Sequence, residues 1–274
     1  MHMADALLSP GVGATMWAVS GATLGVCARK LRRTTRDHLV PLMGVLGAFV
    51  FAAQMINFSI PGTGSSGHLG GGMLLAALLG PYAAFVVITS VLVIQALFFS
   101  DGGLLALGCN IFNLGFFPAF VAYPLIFRAV VGDRPTRGRI FAGSLAGCVM
   151  GLEMGAFGVV LETVASGITE LPFSTFVAFM LPIHLAIGLV EGIVTGLVVN
   201  FVHEANPQIL SDSLSLQKTS PSRLPVKTLA ALILGAALVT GGLVSWYASE
   251  FPDGLEWSMA RVSGREELDG SSPV

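Results

Sequence analysis

Residues 82–99 read YAAFVVITSVLVIQALFF, a run of eighteen positions without one charged side chain. At 1.5 Å per residue, a helix of this length crosses most of the roughly 30 Å hydrocarbon core of a bilayer. Similar apolar stretches lie near residues 10–27, 39–57, 69–80, 104–127, 139–165, 174–202 and 227–248. The sequence therefore predicts an all-α integral membrane protein.

The composition supports this class and excludes others. Of the 274 residues, 54% are apolar and 11% are charged, whereas soluble domains carry about 25% charged residues. No basic cluster is long enough to follow a phosphate backbone, so we expect no nucleic-acid partner. The three cysteines lack the paired spacing of a zinc site or a disulfide framework, and we expect them to be small buried side chains.

Basic loops predict the topology, because short cytoplasmic loops of membrane proteins are rich in Lys and Arg. Three segments carry such residues, namely 28–38, 128–138 and 203–226. Placing all three inside puts the N-terminus outside and requires an odd number of crossings between residues 58 and 127. Three helices fit there, the first of them short. The prediction is a polytopic helical bundle with about seven core transmembrane helices and one C-terminal helix.

Composition along the chain predicts three regions. Residues 1–205 form the main membrane domain, and the polar, Ser- and Pro-rich stretch 206–226 is expected to be a cytoplasmic linker. Residues 227–274 add a transmembrane helix and an external, acidic segment.

Two ladders of glycines at i, i+4 spacing predict close helix packing. Gly143, Gly147, Gly151 and Gly155 form the first, and Gly188, Gly192 and Gly196 form the second. Small residues let helix backbones approach closely in lipid. The neighbour is either another helix of this chain or a helix of a partner subunit.

The chain begins Met1-His2, and this start is a potential metal chelate. The residues before the first apolar run carry no positive charge, so we expect no cleavable signal peptide. Because His2 is not small, Met1 is expected to be retained. The α-amine of Met1, the backbone nitrogen of His2 and its imidazole Nδ1 can then close two fused rings around one ion.

A loop rich in glycine supplies a fourth nitrogen. Residues 61–72 carry His68 among glycines that permit tight turns, and the predicted topology places them on the same side of the membrane as the N-terminus. Four nitrogens in a plane favour Ni²⁺ or Cu²⁺ and accommodate Co²⁺. They do not suit Mg²⁺ or Ca²⁺, which require oxygen ligands.

Several polar residues inside apolar segments are further candidates for function. Gln54 and Asn57 lie three apart near the outer end of the second helix, where they could orient a metal-binding imidazole. Weaker candidates, for which we expect mainly structural roles between helices, are Asn110, Asn113, His184 and Glu191.

Two alternatives remain open at this stage. The chain could be a membrane metalloenzyme whose site combines His184, Glu191 and Glu153, although no paired histidine motif supports this. It could also be a stand-alone secondary metal transporter, although no inverted repeat is evident. No phosphate-binding loop is present, so energy for uphill transport would have to come from another subunit.

Taken together, these motifs resemble the CbiM/NikM family, the substrate-binding components of cobalt and nickel energy-coupling-factor transporters. The resemblance covers nearly all of 1–205 and rests on the Met-His start, on residues 51–58 (FAAQMINF), on the Gly-His68 loop, on 102–113 and on 184–192. Residues 227–257 resemble the PDGLE module of the small accessory subunit, but here no second membrane helix follows that motif. The start also departs slightly from the family pattern, with Met-Ala-Asp-Ala at 3–6.

The resemblance implies a function and partners. It implies a metal site at Met1, His2 and His68, with Gln54 and Asn57 close by, and no enzymatic activity. It implies Co²⁺ or Ni²⁺ as the transported ion, with no permanent cofactor. It also implies a transmembrane coupling subunit, two cytoplasmic ATPases and an accessory CbiN/NikN-like subunit, all in a prokaryotic plasma membrane.

Overall fold

The computed structural model describes residues 2–34, 39–169, 171–216 and 221–263. Met1, part of the first basic loop and the C-terminal residues 264–274 lie outside the described residues. The helices are α1 (Pro10–Thr34), α2 (Leu39–Gln54), α3 (Gly72–Leu79), α4 (Pro81–Phe98), α5 (Leu107–Val131), α6 (Arg137–Ser166), α7 (Phe173–Ala205), α8 (Pro207–Leu214), α9 (Val226–Gly242) and α10 (Gly254–Ser263).

The predicted polytopic helical bundle is confirmed. Within the described ranges, six helices are long and apolar enough to cross a membrane, and α2 is a shorter apolar helix of 16 residues. Of the seven core helices expected, five are among these six, α2 is shorter and α3 has only 8 residues; α9 is the additional C-terminal helix. The structure also has the predicted short first helix between residues 58 and 127.

The break between α3 and α4 follows from two residues. Gly80 adopts φ +79°, which disfavours residues with a side chain, and Pro81 starts α4 because it needs no hydrogen-bond partner for its nitrogen. Helix α3 is only 8 residues long, about 12 Å at 1.5 Å per residue, so it does not cross the bilayer alone.

Both glycine ladders pack against helices of this chain. A β-carbon at Gly192 would stand 2.7 Å from the Cα of Leu145, and one at Gly188 would stand 2.9 Å from the Cα of Val149. The second ladder therefore brings α7 against α6. The first ladder packs on α5 and α3, where Gly147 faces the sulfur of Met73.

Helix α8 lies within the segment expected to be a linker. It buries Ile209, Leu210 and Leu214, and it meets the end of α3 through a hydrogen bond from the Ser213 hydroxyl to the Ala77 carbonyl (2.6 Å). The Tyr123 hydroxyl of α5 donates to the Ser213 carbonyl at 2.6 Å. This part of the linker therefore packs against the membrane domain.

Four segments meet at one end of the bundle. They are the N-terminal residues 2–9, a two-stranded hairpin of β1 (Phe58–Ile60) and β2 (Ser65–Gly67), the α4–α5 loop and the segment before α10. These segments come from widely separated parts of the sequence, and the candidate site lies where they join.

Candidate metal-binding site

The start of the chain is held inside the protein. Met3 is fully buried, and its backbone nitrogen donates to Oδ1 of Asn110 at 2.8 Å. The Asn110 amide returns a bond to the Met3 carbonyl (3.3 Å), which also accepts from the backbone nitrogen of Gly103 (2.9 Å). Asn110, a weaker candidate from the sequence, thus anchors the residue that follows His2.

Asp5 fixes the next turn of the N-terminal segment. Its Oδ1 accepts a hydrogen bond from the backbone nitrogen of Ala106 at 2.9 Å. A β-carbon at Gly103 would stand 1.8 Å from this carboxylate, so only glycine allows the α4–α5 loop to approach so closely.

The hairpin presents His68 directly after β2. The ideal β-carbon position at Gly67 lies 2.4 Å from a side-chain carbon of Ile187 in α7, which shows how tightly the loop lies on that helix. His68 is 7% exposed. The glycine-rich loop is therefore a buried, packed element of the site.

The loop after His68 is held by α7 and α2. The carboxylate of Glu191 accepts from the backbone nitrogens of Gly70 (2.8 Å) and Gly71 (2.9 Å). The Gln54 amide donates to the Gly70 carbonyl at 2.7 Å and accepts from Gln95 at 2.9 Å. Glu191 and Gln54 thus hold the loop after His68 in position through direct hydrogen bonds.

The structure brings His2 and His68 together. Their rings stack with centroids 4.9 Å apart and an interplanar angle of 12°. The His2 side chain is 5% exposed; its Nδ1 lies 3.1 Å from Oδ1 of Asp101, and its Nε2 is buried without a hydrogen-bond partner. The two imidazoles are therefore close neighbours, and because each ring binds a metal at about 2 Å through a lone pair in its own plane, one ring has to turn out of the stack for both to bind the same ion.

The protonation of His68 suits a ligand. Burial, followed by nearby positive charges that include His2, lowers the pKa of His68 to about 3, so the ring is neutral at physiological pH. Its Nδ1 lies 3.1 Å from the Leu69 carbonyl. Because a carbonyl only accepts, Nδ1 carries the hydrogen and Nε2 carries the lone pair that a metal requires.

Two carboxylates stay ionised beside the histidines. Burial tends to raise the pKa of Asp101, but the hydrogen bond with His2 and the nearby positive charges together outweigh burial, and the pKa falls below its usual value. Burial also tends to raise the pKa of Asp253. Nearby positive charge and a hydrogen bond from the backbone of Glu256 outweigh burial, and the pKa falls below its usual value. Negative charge is thus fixed at the edge of the site.

The C-terminal segment lies on the hairpin that carries His68. The backbone nitrogen of Ser66 donates to the Pro252 carbonyl at 2.8 Å, and the Trp257 indole donates to the Thr63 carbonyl at 3.0 Å. The Asn57 carbonyl accepts from the backbone nitrogen of Ser249 at 2.7 Å. Asn57 therefore acts here through its backbone, as part of the seat for the C-terminal segment.

Two of the weaker candidates, Asn113 and His184, are not part of the stacked pair of histidines. The Asn113 amide donates to Glu162 at 2.7 Å, between α5 and α6. His184 is fully buried; its Nδ1 donates to the Met180 carbonyl (2.8 Å), and a β-carbon at Gly254 would stand 3.1 Å from its ring. His184 thus supports the C-terminal segment from α7.

Nothing in the described part of the chain assembles the metalloenzyme site considered above. No group of three or more His, Cys, Asp or Glu residues there is placed to hold a metal ion, and Glu191 is occupied by the glycine loop. The predicted chelate uses only two such side chains and otherwise backbone nitrogens, and Met1 lies outside the described residues. That chelate stays a prediction.

Sequence reasoning missed Asp101 and Asp253. Asp101 lies in the loop between two helices, and Pro-Asp-Gly at 252–254 is a sequence typical of surface turns. The spacing Asp253-x-x-Glu256 was the available signal, because an acidic residue three positions after an N-cap residue marks a helix start.

Models of two protein families match the chain. The model described as CbiM, cobalt uptake substrate-specific transmembrane region, matches residues 2–209. The model of the PDGLE domain matches residues 227–273. Together they span almost the whole sequence.

Relatives that match nearly the whole chain carry transport names. A putative fused nickel transport protein, NikMN, from Archaeoglobus fulgidus is 35% identical over 97% of this chain and 84% of its own length. A cobalt transport protein, CbiM, from Geobacter sulfurreducens is 29% identical over 98% of this chain and 80% of its own.

A solved structure has a similar fold. The crystal structure of a truncated transition metal transporter superposes with a TM-score of 0.66 and 34% identity, covering 74% of this chain and 99% of that one.

Proposed function

The chain belongs to the CbiM family, as a cobalt or nickel transport component rather than an enzyme, and on this basis we propose that it captures Ni²⁺ or Co²⁺ at its amino terminus. The proposed ligands are the α-amine of Met1, the backbone nitrogen and Nδ1 of His2, and Nε2 of His68. The ion is cargo, and no permanent cofactor takes part.

The observation that carries this proposal is the stacking of His2 on His68 inside the protein. A dangling N-terminus would bind metal no better than a short peptide. Here Asn110 and Asp5 fix the N-terminal segment, and Glu191 and Gln54 fix the His68 loop. A preorganised site avoids the entropic cost of ordering its ligands.

Binding through Nδ1 of His2 would replace its contact with Asp101. The Asp101 carboxylate would then lie beside the bound cation, which its negative charge attracts. Four nitrogen donors match the preference of late divalent ions, with Ni²⁺ favoured by a planar arrangement.

Transport through the membrane is proposed to depend on partners. The sequence has no nucleotide-binding motif, so a transmembrane coupling subunit with two cytoplasmic ATPases would drive uptake across the prokaryotic plasma membrane. The fused PDGLE segment, seated on the hairpin, would take the place next to the site that a separate accessory subunit otherwise occupies.

The test is metal content after purification. We expect His2→Ala, or one residue added before Met1, to lower bound nickel and cobalt to background. His203→Ala is the matched control, because His203 lies nineteen residues beyond His184 on α7, about 28 Å along the helix. Undiminished nickel in the His2 variant would refute the proposal.

A further inference from the structure

Two cavities of similar volume lie at opposite ends of the helical bundle. The first, of about 470 Å³, adjoins the proposed metal site and is lined by residues that include His2, Asp5, Asp101, Asp253 and Glu256. The second, which we call the inner cavity, has a volume of about 460 Å³ and takes no part in the proposed function. This volume is within the range of about 300–1,000 Å³ that is usual for ligand pockets.

Helix α4 places the inner cavity on the opposite side of the bilayer from His2. Pro81 and Tyr82 at the start of α4 line this cavity, whereas the end of α4 leads into the loop that carries Asp101. The 18 residues of α4 span about 27 Å, close to the roughly 30 Å of the hydrocarbon core. Since the basic loops predict an external N-terminus, we expect the inner cavity at the cytoplasmic leaflet.

Two basic side chains lie at the inner cavity. Lys30 near the end of α1 and Arg128 near the end of α5 line it, and both residues are exposed. The Lys30 ammonium lies 5.9 Å from the centroid of the Tyr82 ring, a distance at which an aromatic face attracts a cation. Asp212 is the one acidic residue among the described lining residues, so the lining keeps a net charge of +1. The inner cavity therefore favours anions.

Apolar side chains beside these charges point to a lipid as the anion. Leucines from three helices line the inner cavity, namely Leu31, Leu39, Leu42, Leu78 and Leu79. An inorganic anion would lose water next to them without compensation. The acyl chains of a phospholipid, in contrast, can lie along these leucines while its phosphate reaches the basic side chains. Tyr82, which is 36% exposed, has the amphipathic ring that is common at membrane interfaces.

The walls of the inner cavity are held by hydrogen bonds between helices. Tyr123 and Ser213 both line it. The Tyr123 hydroxyl of α5 donates to the Ser213 carbonyl of α8, and the Ser213 hydroxyl donates to the Ala77 carbonyl of α3. The cavity is therefore preformed, so a ligand that enters it avoids much of the cost of ordering its binding site.

We propose that the inner cavity binds one anionic phospholipid of the cytoplasmic leaflet, with its phosphate beside Lys30 and Arg128 and its acyl chains along the leucines. Basic pockets between transmembrane helices on the cytoplasmic side suit such headgroups, because both the local charge and the negative leaflet favour them. The bound lipid would connect α1, α5 and the linker helix α8. This site is separate from the metal chelate and does not depend on it.

The experiment is native mass spectrometry of the full-length protein in detergent, titrated with phosphatidylglycerol or with phosphatidylcholine of the same acyl chains. We expect the unaltered protein to bind one phosphatidylglycerol more tightly than phosphatidylcholine. Each basic residue near an anionic headgroup contributes a factor of about five, so Lys30→Gln combined with Arg128→Gln should weaken phosphatidylglycerol binding about 25-fold. Phosphatidylcholine binding and the nickel content of the purified protein should stay unchanged, because the metal site lies at the other end of the bundle.

Arg33→Gln combined with Arg134→Gln is the matched control, since it removes two exposed positive charges that do not line the inner cavity. An equal loss of phosphatidylglycerol in this control would overturn the site, because it would show attraction by the general surface charge. Equal binding of the two lipids by the unaltered protein would also overturn it. So would displacement of phosphatidylglycerol by inorganic phosphate, which would make the free anion the ligand.

A charge-conserving variant separates loss of charge from a folding defect. Lys30→Arg combined with Arg128→Lys keeps both positive charges at the inner cavity. We expect this variant to retain the preference for phosphatidylglycerol. Loss of the preference there would overturn a site that depends on charge.

Discussion

Glu191 is the residue on which the position of His68 depends most directly. Its carboxyl group accepts two backbone hydrogen bonds from the loop, and leaving a buried backbone donor without its acceptor costs about 1–3 kcal/mol. We expect Glu191→Gln, which replaces one acceptor by a donor, to weaken nickel binding 10- to 100-fold, as changes behind a metal ligand commonly do. Isothermal titration calorimetry with Ni²⁺ measures this.

Glu162→Gln is the comparison for this change. Glu162 is likewise buried but binds the Asn113 amide instead of the loop. Equal affinity losses in the two variants would contradict a specific role for Glu191.

At the level of elements, the α6–α7 contact depends on glycine. A methyl group at Gly192 would press on the Cα of Leu145 at 2.7 Å, and such overpacking costs about 1–3 kcal/mol. We therefore expect Gly192→Ala to lower the thermal unfolding midpoint in detergent. Gly235→Ala in α9 meets open space and should leave the midpoint unchanged or raise it; a loss there as large as at Gly192 would exclude packing as the cause.

The attachment of α10 to the hairpin makes a second prediction at this scale. Trp257→Phe removes the indole donor to Thr63, worth about 1 kcal/mol, and retains a ring against Phe179. Amide hydrogen exchange in residues 58–67 should become faster. Trp246→Phe, at a side chain exposed by 85%, should not change it, and unchanged exchange in the Trp257 variant would show that the indole bond does not hold the hairpin.

Elements were predictable to different degrees. Runs of apolar residues and basic loops indicated the seven core helices, including the short one before Gly80, because lipid requires such runs. Helix α8 was hidden because its few apolar residues lie among polar ones typical of a linker. The packing of residues 249–257 on the hairpin was not predictable either, because contacts between residues about 190 positions apart in the sequence leave no local pattern.

The candidate site was predictable only in part. His2 and His68 were predicted because a free amine followed by histidine, with a second histidine on the same side of the membrane, offers four nitrogen ligands. Asp101 and Asp253 were missed because acidic residues in loops are usually solvated. Their significance comes from the cavity they share, which only the folded chain creates.

For the molecule as a whole, binding and transport should be separable. If partner ATPases supply the energy, substituting the phosphate-binding lysine of those ATPases should abolish nickel uptake by cells, while the purified chain keeps its bound metal. Uptake of radioactive ⁶³Ni by cells that express all subunits measures this. Persistent uptake with inactive ATPases would favour a stand-alone secondary transporter instead.

The cavity beside His2 is lined both by residues within the first five of the chain and by residues beyond position 250. The ribosome makes these two groups at widely separated times, so both walls of the cavity are present only after α9 has entered the bilayer. A nascent chain that has not yet reached residue 250 therefore has His2, Asp5 and Asp101 without the wall that Asp253 and Glu256 form.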